Sequence, residues 1–184
     1  LEDSAHVGTS RDTTPEEQEW LLAASPKFKE MHQRHSLYYH AQVGTFEGHD
    51  DEMVIGGAIE DGVYGPMFFG YGGPDHRLNR ETVQHQLEKT ILHFTDETVL
   101  VHVTAETDVI AQRLRDDPHE NMVISESDID RVKKRFAELV EWSVLDKKIH
   151  VDNSGAIEDT MAQFVEKIEP YLTDIDRSRM KANG

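Results

Sequence analysis

Two groups of side chains in this sequence have the type and spacing to do chemistry. His32, His35 and His40, with His49 and Asp50 beyond them, include a pair of imidazoles, His32 and His35, at three-residue spacing on a helical pattern. Two rings on one helix face can hold a single ion in that way. The chain carries 11 histidines, however, so close pairs arise by chance. Partly exposed helix histidines are the plainer reading, and no metal-ligand set is assigned. The second group is Arg113 and Arg115, at the end of a helical pattern whose apolar face is Val109, Ile110 and Leu114. Both guanidinium groups fall off that stripe, and a planar guanidinium can grip a phosphate with two parallel hydrogen bonds. Positive charge also suits the carboxyl end of a helix, so an ordinary solvated helix terminus explains the same residues. Asp-Asp-Pro-His follows at once, a helix break that could free the segment from Asp116 to Ser125 to move over a bound group.

Several chemistries are missing. With no cysteine there are no disulfides, thiolate metal sites or cysteine nucleophiles, which is compatible with a reducing, cytoplasmic setting. No Gly-x-Ser-x-Gly elbow is present, and adjacent acids such as Glu60 and Asp61 are common on acidic surfaces. The 184 residues contain no Gly-Lys pair, and hence no phosphate-binding loop of the G-x-x-x-x-G-K-[ST] type.

A formal charge of -17 repels polyanions and argues against nucleic acid as a partner. A small phosphorylated molecule is not excluded, because a few convergent arginines bind it locally. No apolar run is long enough to cross a bilayer, and the polar, acidic stretch from Leu1 to Asp12 does not read as a secretory leader. The length suits one domain, residues 1–184, with homo-oligomerisation left open.

The elements that must position these groups follow from period and punctuation. Thr14-Pro15-Glu16-Glu17 and then Ser25-Pro26 open helices, and Phe28 to Phe46 predicts a long amphipathic helix, with Leu37 to Val43 as a strand the competing reading. Met53-Val54-Ile55, Val99 to Val103 and Ile149 to Val151 are apolar runs without alternation, the pattern of strands buried on both faces. Ile59 to Phe69 reads as a helix or as a hairpin turning at Asp61-Gly62. Asn79 and Thr104 are expected to cap the helices around the middle strand, and Ser127 with Asp130 to open the next. Strands alternating with helices predict an α/β fold, a mainly parallel sheet flanked by helices.

The stretch from Val99 to Leu172, beginning Val-Leu-Val-His-Val-Thr-Ala-Glu-Thr-Asp-Val-Ile-Ala-Gln-Arg-Leu-Arg, resembles the strand, helix and lid of thymidylate-kinase-like P-loop nucleoside and nucleotide kinases. Val54-Ile55-Gly56-Gly57 through Val63-Tyr64-Gly65-Pro66 is similar to that family's central strand and following helix. The resemblance covers roughly residues 50–172. It implies a three-layer P-loop-kinase-like architecture and phosphoryl transfer from ATP to a small nucleoside or nucleotide. It also implies lid arginines at Arg113 and Arg115, with Asp61 and Tyr64 beside the acceptor. The family's Asp-Arg pair after the central strand is absent, and so is the P-loop. Either a strand and phosphate loop lie upstream of Leu1, in which case ATP and Mg are the expected cofactors, or the molecule fills the gap differently. These residues alone are expected to be inactive, and the alternatives are a non-catalytic kinase-like binding module or, more weakly, a histidine-ligated metalloprotein.

Overall fold

The computed structural model describes residues 2–3, 14–41, 53–95, 98–118 and 122–183. These residues are mostly helical. Thr14 closes a capping box with Glu17 and starts α1 (Pro15–Ala23), and the Ser25 hydroxyl accepts from the Phe28 amide to start α2 (Pro26–His40). Each helix opens on a proline, which needs no amide partner in the first turn. After β2 (Val54–Ile55) come α3 (Ala58–Tyr64) and a π turn, Gly65–Phe69. α4 (Arg80–Phe94) is capped by Asn79, whose side chain accepts from the Thr82 amide at 2.8 Å. β3 (Leu100–Thr104), α5 (Thr107–Asp116), α6 (Ile129–Trp142), β4 (Lys148–Asp152), α7 (Ile157–Ile168) and α8 (Asp174–Asn183) complete the order.

The sheet differs from the expectation. Among the described residues there are two separate two-stranded parallel ladders, β2 beside β1 (Glu2–Asp3) and β3 beside β4. A mainly parallel sheet with helices on both faces, and the three-layer P-loop-kinase-like architecture, are therefore not what this chain forms. Burial explains the error. Met53, Val54 and Ile55 are 55%, 43% and 51% exposed, so their lack of alternation does not reflect two covered faces. Gly56 and Gly57, at φ +86° and +83°, end that strand after two residues, in backbone that other residues rarely adopt. The ladder of β3 and β4 does hold, with Val101 opposite Ile149 and Val103 opposite Val151. It is capped on one edge by side chains of α7. Gln163 bonds both the amide and the carbonyl of Asp152, and Lys167 donates to the His150 carbonyl. These contacts satisfy backbone groups that an open edge would leave exposed.

Helices carry the core. Val83 and Leu87 of α4 meet Leu37 and Ala41 at the end of α2, while Val63 of α3 meets Val132 and Leu139 of α6. Ile59 to Phe69 is thus helical and not a hairpin. α2 ends at His40, and the remainder of the predicted helix from residue 42, like His49 and Asp50 beyond it, falls outside the described residues. Thr104 ends β3 instead of capping a helix: Glu106 is the N-cap of α5. A capping box between Ser125 and Asp128, not Ser127 with Asp130, precedes α6.

Candidate functional site

Two polar centres stand out, one sealed and one open. The sealed centre forms where α2, α3 and α4 meet. Arg80, the first residue of α4, is 1% exposed and makes an ion pair with Asp61 at 2.5 Å, off the direction of its N–H bond. It also donates to Glu30 at 3.1 Å and lies 4.9 Å from the Tyr71 ring centre. The Tyr71 hydroxyl donates to Asp61 at 2.6 Å. Burial first, then the Asp61 charge, pushes the Tyr71 phenol well above its usual range, so it stays a donor. Arg34 reaches Glu30 from one turn along α2, at 3.0 Å. Two carboxylates thus meet two guanidinium groups, the balance a buried ionic cluster needs.

Gly65 and Gly72 leave room for this cluster. A Cβ on Gly65 would lie 2.6 Å from the Tyr71 ring, and one on Gly72 would lie 2.6 Å from Arg80 Cγ, with φ +73° at Gly72 besides. Nearby, Gln84 donates to Glu88 and to the Leu139 carbonyl, and Glu88 accepts from the Val144 amide, fastening α4 to the end of α6. Asp61 is 2% exposed and turned into this network. Tyr64 lies one turn further on, half-buried, its ring 5.9 Å from Phe68 and 6.1 Å from Phe136. Burial, then Glu60, pushes its phenol up to about 12. Sequence reasoning missed Arg80, Glu30 and Tyr71. Their separation along the chain, 50 residues between Glu30 and Arg80, hides the cluster from any local pattern.

The open centre is at the carboxyl ends of β3 and β4. The Glu106 amide donates to Ser154 at 2.8 Å and the Asn153 amide to the Thr104 carbonyl at 2.7 Å, which ties the two strand exits together. Thr107 donates to Asp130 at 2.6 Å and accepts from Lys133 at 3.2 Å, so α5 and α6 both begin at this edge. α6 runs back to the amino ends, where Lys148 bonds the carbonyls of Glu141 and Ser143. No residue of α5 is buried. Arg115 is held by Glu126 at 2.6 Å and Gln112 at 3.0 Å. Arg113 is exposed, has no ion pair among the described residues, and lines an open recess with Ile110, Leu114, Asp116 and Asp117. The arginines and Asp61 therefore belong to different surroundings: the former to the last turn of α5, the latter to the sealed cluster.

His32 and His35 sit on α2. Burial, then His35, holds His32 below the usual imidazole range, and the His35 ring packs 6.4 Å from Tyr39. Among the described residues, no group of three or more His, Cys, Asp or Glu side chains is placed to share a metal ion, and no helix is long and apolar enough to cross a membrane. Comparison with protein-family models, with curated proteins and with solved structures gives no match.

Proposed function

We propose that the carboxyl edge of β3 and β4 binds a small phosphorylated molecule through Arg113, in the manner of a nucleoside or nucleotide kinase lid. The observation that carries this reading is the crossover itself. α5 leaves the strand exits with no residue fully buried, α6 returns from the same edge, and Arg113 alone of the two lid arginines lacks an ion-pair partner among the described residues. Open parallel strands bind ligands beyond their carboxyl ends. The reading rests on this one ladder and its two helices, not on a larger sheet.

The residues fit charge recognition better than turnover. A guanidinium spreads positive charge over phosphate oxygens, but alignment of the donor supplies most of the catalysis in phosphoryl transfer. Without a Gly-Lys pair, these residues do not build the amide cradle that aligns ATP. The expected behaviour is binding of a nucleoside monophosphate without phosphoryl transfer. Calorimetric titration with nucleoside monophosphates should give weak one-site binding, reduced about tenfold by Arg113→Ala. Arg115→Ala should have the smaller effect. A coupled assay with ATP and magnesium should stay at background, while turnover from these residues would require a phosphate-binding element that the sequence does not display. Binding unchanged in Arg113→Ala would leave only a solvated helix end.

A further inference from the structure

The histidines singled out by spacing are not the pair that the fold brings together. His102 of β3 and His150 of β4 are partners in the ladder, 48 residues apart in sequence, and their Nδ1 atoms lie 3.2 Å apart. The rings are inclined at 70° with centres 5.3 Å apart. We propose that this pair is a two-imidazole chelate for a late transition-metal cation, with both Nδ1 atoms as ligands and water completing the shell.

Ligand geometry favours it. Two nitrogens bound about 2.0–2.1 Å from one tetrahedral ion lie roughly 3.3–3.4 Å apart, so the pair accepts an ion with little movement. Both strands are anchored at the pair, His102 and His150 within a five-pair register and the His150 carbonyl by Lys167. The ligands are thus held before the metal arrives, which spares the entropy of gathering them.

The remaining charged groups near the pair leave it room. Lys148 and Asp152 flank His150 on the same face of β4. The Lys148 ammonium is turned away onto the carbonyls of Glu141 and Ser143, and Asp152 accepts from the amide and hydroxyl of Ser154. Lys167 of α7 contacts the backbone of His150 and not its ring. A chain of net charge -17 adds a long-range attraction for cations. Imidazole ligands and the usual order of divalent stabilities put Cu²⁺ first, with Zn²⁺ and Ni²⁺ behind it and Mg²⁺ and Ca²⁺ excluded.

The test is titration of the untagged chain with Cu²⁺ and Zn²⁺ alone at pH 7.5, with nitrogen couplings of bound Cu²⁺ read by pulsed electron paramagnetic resonance. The expected result is one ion per chain with two coupled imidazoles. His150→Gln, at an exposed position, and His102→Gln should each weaken binding by more than the ~10-fold that loss of an outer-shell partner costs. His32→Gln with His35→Gln should leave it unchanged. Circular dichroism of each variant separates lost ligation from lost folding, and since the His150 ring is exposed, that variant keeps the test decisive. Binding that survives His150→Gln but disappears with His32 and His35, or a single coupled imidazole in the unaltered chain, would overturn the proposal.

Discussion

Arg80 connects three helices through two carboxylates, and its removal is the most damaging single change expected in the molecule. Arg80→Met would leave the buried Asp61 and Glu30 carboxylates with Arg34, on Glu30, as the remaining guanidinium of the cluster. Breaking a buried pair by deleting one partner costs on the order of 3–5 kcal/mol. Urea denaturation should show that loss in Arg80→Met, and a shift below about 1 kcal/mol would mean that water reaches the cluster. Gly65→Ala attacks the same cluster from the side, because the added methyl must displace the Tyr71 ring. Overpacking of that kind typically costs about 1–3 kcal/mol. At the open edge the sign is reversed: Asp117→Asn removes a negative charge from the recess that Arg113 lines. It should tighten phosphate binding in the same calorimetric titration that Arg113→Ala weakens. The imidazoles set a pH dependence. His32 and His102 are held below their usual range in the fold, so the unfolded chain binds protons more readily. Stability should therefore be full above about pH 6.5, the unfolded imidazole value, and fall as pH drops below it. His32→Gln with His102→Gln should flatten that slope below about pH 6.5, and an unchanged slope would assign it to other groups.

At the scale of elements, punctuation was legible and burial was not. Thr14, Ser25 and Asn79 cap the helices their side chains announce, because capping is decided within four residues. The helix break at Asp116-Asp117 stands for the same local reason. Strand pairing depends on partners far away, and the apolar run Met53 to Ile55 carries no sign that its faces are exposed. Val103 misled in the same way, since it is 54% exposed within a run that reads as core. Of the candidate site residues, Arg115 falls off the apolar stripe of α5 by period, whereas Arg113 shares its recess with Ile110 and Leu114. That Glu126 would take up Arg115 and leave Arg113 free of an ion pair among the described residues needed the return path of the chain into α6. The His102 and His150 pair is equally hidden in sequence, since register alone creates it. A cheap check at this scale is Asn79→Ala, which removes the side-chain cap of α4 and should cost about 1 kcal/mol in denaturant unfolding, where no loss would mean that Arg80 alone sets the helix start.

For the whole molecule, the arrangement separates a rigid helical centre from a lightly packed edge. α2, α3 and α4 share the ionic cluster and α6 packs on α3 in the apolar core, while α5 buries no residue and projects from the strand exits. Ligand-binding elements are commonly drawn from such weakly packed segments. The acidic surface sets a background that any anion must overcome, so binding at the edge should strengthen, not weaken, as moderate salt screens the repulsion at distance. The most direct test of the account is amide chemical-shift mapping during titration of the isotope-labelled chain with a nucleoside monophosphate. Shifts should concentrate at Glu106, Thr107, Arg113 and Ser154, and vanish in Arg113→Ala while the core amides of α4 stay in place. Shifts spread over the remote surface, or unchanged in Arg113→Ala, would contradict a phosphate site at the carboxyl edge of β3 and β4.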